Sequence, residues 1–247
     1  MASLMHARVV SRSDGWRCIA ALAAALAAPA ALADGASGAV GFASAQVLRG
    51  VSQSNGDASL SLDATYRLDT GWAAGASLAT LGRDARGTRT LLGLSVNRSW
   101  QVDRDWSTQL GIAHYAYPGG GDRHRFDYDE LSASVGWQGR LTASVAVLPN
   151  ASRRDENGVP RRGRAFAYEL SVHERLAGQL AFDAGIGWMD LRNIRGAGYP
   201  YGSVGLGLGA GPVQVFATFI ASRAAARGLA APAAGGDRFL LSVLWDF

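Results

Sequence analysis

The chain of 247 residues contains no lysine, a single cysteine at Cys18, and no apolar run long enough for a membrane helix beyond its first thirty or so residues. Each absence excludes something. Without a second cysteine there is no intramolecular disulfide, and a Cys18 lost with an export leader would leave no thiol chemistry at all. Arg supplies all 24 basic side chains against 20 acidic ones. An excess this small, spread along the chain, lacks the concentrated basic patch that nucleic acid needs, so no nucleic-acid partner is expected. If the chain enters a membrane, it must do so with strands.

The first 33 residues read as an export signal. A basic segment ends at Arg17, an Ala-rich apolar run spans Ile19 to Ala28, and Ala31-Leu32-Ala33 has the small-x-small pattern of a cleavage site. The apolar run is short and Pro29 interrupts it, which argues against a membrane anchor. Cys18 precedes the apolar run, where a lipoprotein cysteine would follow it. Two parts are therefore expected: a signal peptide over 1–33 and one β domain over 34–247 of roughly 214 residues.

Beyond residue 38 the dominant pattern has period two. Leu60, Leu62, Ala64 and Tyr66 alternate with Ser61, Asp63, Thr65 and Arg67. Leu92, Leu94 and Val96 alternate with Gly93, Ser95 and Asn97, and Leu131, Ala133 and Val135 with Ser132, Ser134 and Gly136. Such segments present one apolar and one polar or small face. About twelve are predicted: 38–48, 57–68, 71–81, 89–100, 106–117, 127–138, 140–149, 164–175, 178–189, 199–208, 212–222 and 237–247. Short links (69–71, 101–105, 139, 176–178, 209–211) alternate with longer ones (49–56, 82–88, 118–126, 150–163, 190–198, 223–236). That alternation predicts an all-β fold, a transmembrane antiparallel up-and-down barrel of about twelve strands, with short periplasmic turns and long external loops in a bacterial outer membrane.

Threading the strands by this rule places Trp72, Trp100, Trp106, Trp137 and Trp245 at periplasmic ends. It places Tyr115, Tyr117, Tyr128, Tyr168, Trp188, Tyr199 and Tyr201 at external ends, as two aromatic girdles would require. The last segment carries Phe239, Leu241, Val243, Trp245 and Phe247 in one phase. A final strand must offer lipid a continuous apolar stripe and pair with the first strand, because an open edge is not tolerated in lipid. These five residues therefore read as the assembly signal for the barrel assembly machinery of a Gram-negative cell.

Three motifs resemble a known family. Arg49-Gly50-Val51-Ser52-Gln53 follows the first strand, Tyr115-Ala116-Tyr117-Pro118-Gly119 closes the fifth, and Asp127-Tyr128-Asp129-Glu130 opens the sixth. Together they are similar to segments of the TorF family of outer-membrane porins, and the resemblance implies a pore. The segments 150–163 and 223–236 depart from that pattern.

Three functional classes follow. The first is a narrow passive channel for small solutes or ions. Gly93, Ser95, Ser132, Ser134, Gly136 and Ser171 would leave lumen space, with Asp63, Arg67, Glu169, His173 and Asp183 as pore-lining polar groups, or as a mutually paired plug. The second is a structural or surface-interaction barrel. Its Arg-rich loops (Arg83, Arg86, Arg89, Arg123, Arg125, Arg153, Arg154, Arg161, Arg162, Arg164) would contact outer-membrane lipid and lipopolysaccharide, since Arg binds phosphate bidentately. The same arginines predict at most a mild anion preference for a channel. The third class is a lipid hydrolase on the barrel wall. His114 falls in phase with the outward Leu110 and Ile112, but Ser132 and Ser134 point the other way and no His-x-Ser pair follows the leader. A nucleophile needs its base within hydrogen-bond reach, so no enzyme is expected. Gly119-Gly120-Gly121 and the Gly-x-Gly repeats over 205–209 lack the strand-to-helix setting of a phosphate loop, and neither metal nor other cofactor is expected.

Overall fold

A computed structural model describes residues 35–84, 87–118, 126–154, 160–225 and 232–247. The predicted signal peptide over 1–33 lies outside these residues, as do Arg86, Arg123 and Arg125.

Fourteen strands form among the described residues: β1 (Ala36–Ala43), β2 (Val47–Leu48), β3 (Val51–Ser52), β4 (Ser59–Arg67), β5 (Trp72–Asp84), β6 (Gly87–Gln101) and β7 (Trp106–Ala116). They continue with β8 (Tyr128–Trp137), β9 (Leu141–Arg154), β10 (Pro160–Ala177), β11 (Leu180–Asp190), β12 (Gly198–Ala210), β13 (Val213–Ser222) and β14 (Arg238–Asp246). All but β2 and β3 pair antiparallel, neighbour to neighbour, into one closed barrel of twelve strands. This is the predicted fold class. The seam joins β1 to β14, with Ala39 opposite Asp246 and Ala43 opposite Ser242. Gly38 and Phe247 extend it by exchanging both backbone hydrogen bonds, at 2.8 and 2.9 Å. A Cβ on residue 38 would meet the tip of the Phe247 ring at 2.7 Å, so glycine lets the ring lie across the seam.

Cross-strand partners share a face, so exposure settles which face is which. Leu94 is 60% exposed, Ile112 56%, Leu131 51%, Ile186 68% and Phe239 82%, all on the outer surface. Soluble proteins bury such residues, so the amphipathicity is inverted, as a lipid-facing wall requires. Arg83, Ser95, Ser134 and similar positions take the opposite parity or the strand ends, and the small polar ones face the lumen. The short turns gather at one end of the barrel, at 68–71, 102–105, 138–140, 178–179 and 211–212.

Two features differ from the sequence reading. The expected external loops 82–88 and 150–163 are largely strand, with β5–β6 paired out to Asp84 and Gly87 and β9–β10 out to Arg154 and Pro160. Register shifts between Thr80 and Arg83, and between Gly163 and Ala165, carry these hairpins onward from the wall. The first strand is shorter than predicted. It leaves the wall after Ala43, and the chain folds inward as the small β2–β3 hairpin.

Candidate functional site: the lumen

The lumen has two dissimilar halves. In the long-loop half, the β2–β3 hairpin enters the barrel. Its two-residue turn is Arg49-Gly50, with φ of 49° and 73°. Two consecutive positive values define a type I′ turn, the kind that suits a tight hairpin. Arginine pays strain in that conformation, which a structure keeps only when its surroundings impose it. Here the surroundings do. Arg49 is almost fully enclosed and donates to Glu130 on β8 at 2.9 Å, with Glu169 on β10 at 3.7 Å. Tyr199 on β12 donates its hydroxyl to the Arg49 carbonyl at 3.2 Å, and Tyr201 donates to Glu169. A Cβ at Gly50 would approach Tyr201 to 2.7 Å and Ser222 to 3.0 Å, so only glycine lets the tip sit against the wall.

The rest of the segment is equally anchored. Arg89 on β6 donates to the Gln53 carbonyl at 3.0 Å, and the Tyr117 hydroxyl donates to the Gln53 side chain at 3.4 Å. Ser54 closes the loop internally, accepting from the Gln46 amide and donating to the Asp57 carbonyl. Around the hairpin lies an apolar core inside the barrel, including Val51, Tyr128, Leu148, Met189, Leu191 and Tyr199. Ala224 and Ala234, from the segment between β13 and β14, belong to the same core. Tyr115 stacks on Tyr128 with ring centroids 4.8 Å apart.

In the short-turn half, the wall is small and polar. Gly75, Ser77, Gly93 and Ser95 line a cavity of about 140 Å³ that reaches Asp63 and Tyr115. A second cavity, about 420 Å³, is lined by His173, Arg175, Gln214 and Phe216. His173 and Asp183 face each other across β10 and β11 with Nδ1 and Oδ1 2.7 Å apart, and both side chains are about half exposed, at 49% and 43%. Gln214 donates to Asp246 on the neighbouring strand.

These positions can be set against the expected site. Asp63, Glu169, His173 and Asp183 stand on the lumen face, and Arg67 is exposed at the short-turn end of β4. The structure brings His173 to Asp183 and places Glu169 in the Arg49 cluster. It does not bring Asp63 to Arg67, because residues four apart on a strand are separated by about 13 Å. Sequence reasoning missed Arg49 and Glu130 as partners, although it singled out both segments that carry them. It also set Tyr115, Tyr128, Tyr199 and Tyr201 in an external girdle. Only Tyr168 and Trp188 of that set are prominent on the outer face, at 47% and 37% exposure. The four tyrosines point inward because their parity is opposite to that of Ile112, Leu131 and Ile186, a signal already present in the sequence.

On the outer wall, Phe239, Leu241, Val243, Trp245 and Phe247 share the lipid-facing phase of β14. His114 faces outward and pairs with Asp129 at 2.7 Å, both about half exposed. Asn150 fills the other Asp129 oxygen at 2.7 Å. No serine hydroxyl bonds to His114, so the dyad has no nucleophile within hydrogen-bond reach among the described residues. No group of three or more metal-binding side chains occurs among them either. Arg89, expected as a loop arginine free for anions, is committed to backbone carbonyls of Leu81 and Gln53.

An inverted, closed, antiparallel wall of twelve strands defines a transmembrane up-and-down β-barrel. The chain belongs to a family described as bacterial protein of unknown function, Gcw_chp, which matches residues 27–240. The more specific resemblance to TorF porins rests on the quoted motifs alone. Among curated proteins no sequence matches. Solved structures share the fold at low identity. The NanC porin is 11% identical with a TM-score of 0.58, covering 86% of this chain and 98% of that one. The KdgM porin is 7% identical with a TM-score of 0.52, covering 85% and 99%. KdgM has also been solved in complex with a disordered oligogalacturonate, with 6% identity, a TM-score of 0.50 and coverage of 86% and 99%.

Proposed function

We propose that this protein is an outer-membrane barrel forming a narrow passive channel for small polar solutes or ions, with no enzymatic activity. The short-turn end would face the periplasm and the long-loop end the exterior. One observation carries the reading: the His173–Asp183 pair on the lumen wall is half exposed, as it would be beside a water-filled passage and not within a packed core. The small residues Gly75, Ser77, Gly93 and Ser95 of β5 and β6 leave room for water on the facing wall. Export through the leader, and assembly through the stripe that ends at Phe247, belong to the same proposal.

The mouth at the long-loop end is narrow because the β2–β3 hairpin and its apolar surroundings occupy it. That packing also favours a second reading, a surface-interaction barrel that binds lipopolysaccharide through Arg162, Arg164 and neighbouring loop arginines, of which these two are exposed. Conductance of the purified protein in planar bilayers separates the two: a channel gives small unitary steps, while a closed binding barrel gives none. Selectivity should be weak. Asp63, Glu130, Glu169 and Asp183 along the lumen offset Arg49, Arg67 and Arg175, so a mild anion preference would have to come from the loops. Reversal potentials in a salt gradient read that sign.

A further inference from the structure

The outer wall carries one cation in an unusual setting. Arg98 lies near the short-turn end of β6, where its cross-strand partners are Trp72 on β5 and Leu110 on β7. Both partners are outward and exposed, at 42% and 52%, so Arg98 is outward too. It lies three residues before the end of β6, about 7 Å along the barrel axis for a tilted strand, which is girdle depth. Its guanidinium carbon is 5.4 Å from the Trp72 ring centre and 5.0 Å from that of Trp100. Two indoles thus hold one cation, each attracting it through the negative face of its ring. The Nε is buried against them with no acceptor. Among the described residues Arg98 forms no ion pair, although Asp69, Asp103 and Asp105 occupy nearby turns. A charge at the edge of hydrocarbon is costly unless a counter-charge meets it. The aromatic cage fixes the side chain on the outer surface at the level where lipid phosphates lie, and a planar guanidinium suits a phosphate.

We propose that Arg98, caged by Trp72 and Trp100, is a binding site for the phosphate of an anionic phospholipid in the periplasmic leaflet. The site rests on the reading of the barrel as membrane-spanning with its short turns toward the periplasm. Trp72 and Trp100 position the cation, and Arg98 supplies the contact. With the Nε buried and without an acceptor, the Nη nitrogens are the atoms left to donate to the phosphate.

The full chain, incorporated in vesicles of equal parts phosphatidylglycerol and phosphatidylcholine, tests this. After extraction into detergent, native mass spectrometry counts the lipids each barrel retains. The wild type should retain phosphatidylglycerol over phosphatidylcholine by about fivefold or more, the scale of a caged, desolvated cation. Arg98→Gln should retain the two alike while keeping its heat-modifiable gel mobility, and Arg98→Lys should keep a weaker preference. Equal retention by the wild type overturns the site, as does undiminished phosphatidylglycerol on a folded Arg98→Gln barrel. Should Arg98→Gln not fold, the wild-type preference must collapse when extraction is done in high salt, and persistence there overturns the proposal. Failure of the wild type to float with vesicles is a separate result, which overturns the membrane reading itself.

Discussion

The two halves of the lumen are built from the same wall and solve opposite problems. Toward the short turns, inward positions are mostly glycine, serine and a few half-exposed charges, with Gln214 and Phe216 among them, and cavities open along the wall. Toward the long loops, inward positions are tyrosine, leucine, methionine and alanine, closed over a hairpin from the chain's own first connection. The contrast shows in two acid–base pairs. Arg49 and Glu130 are nearly enclosed, with 9% and 14% of their side chains exposed, whereas His173 and Asp183 are half open. Burial, not pair geometry, makes the first a structural latch and leaves the second a half-exposed pair on the lumen wall.

The largest expected effect breaks the latch. Glu130→Ala leaves Arg49 enclosed with only Glu169, 3.7 Å away, so the folded barrel should lose about 3–4 kcal/mol in denaturant titrations followed by tryptophan emission. A loss below that of the exposed pair would erase the distinction between the halves. Next comes the outer wall. Leu94 sits at the centre of β6, so Leu94→Arg should cost about 2–4 kcal/mol, while Ser95→Arg, one residue on and facing the wet lumen, should cost much less. Equal losses would contradict the assignment of faces. Gly50→Val combines a positive φ with contact to Tyr201 and Ser222 and should cost about 1–3 kcal/mol, read in the same titration. The smallest effect is in the open half: Asp183→Asn should change stability by less than about 1 kcal/mol.

Much of this contrast was legible in sequence and some was not. The wall was, because period-two alternation requires no knowledge of distant residues: Leu92, Leu94 and Val96 against Gly93, Ser95 and Asn97 already fix two faces. The hairpin was hidden by the same rule. Ala43, Ala45 and Val47 keep a period-two pattern past the point where the chain leaves the wall, although on the lumen parity and not on the outward one of Val40 and Phe42, and what turns the chain inward is remote. Arg49 meets a residue 81 positions away and Tyr199 reaches back 150. No local window contains those contacts. The inward tyrosines are a different case, since their parity was readable and a girdle rule took precedence over it. Each motif carries half of the latch: Arg49 stands in one and Glu130 in the other, and only the fold brings them within 2.9 Å.

Single-channel recording on two proteins tests the account most directly: the wild type, and a variant in which residues 46–53 are replaced by a short Gly-Ser link that cannot enter the lumen. If the hairpin is what narrows a passage otherwise wet along its length, both form channels and the variant's conductance rises by about twofold or more, since conductance follows the narrowest section. Folded barrels of both kinds with the same conductance, or with none, would contradict it.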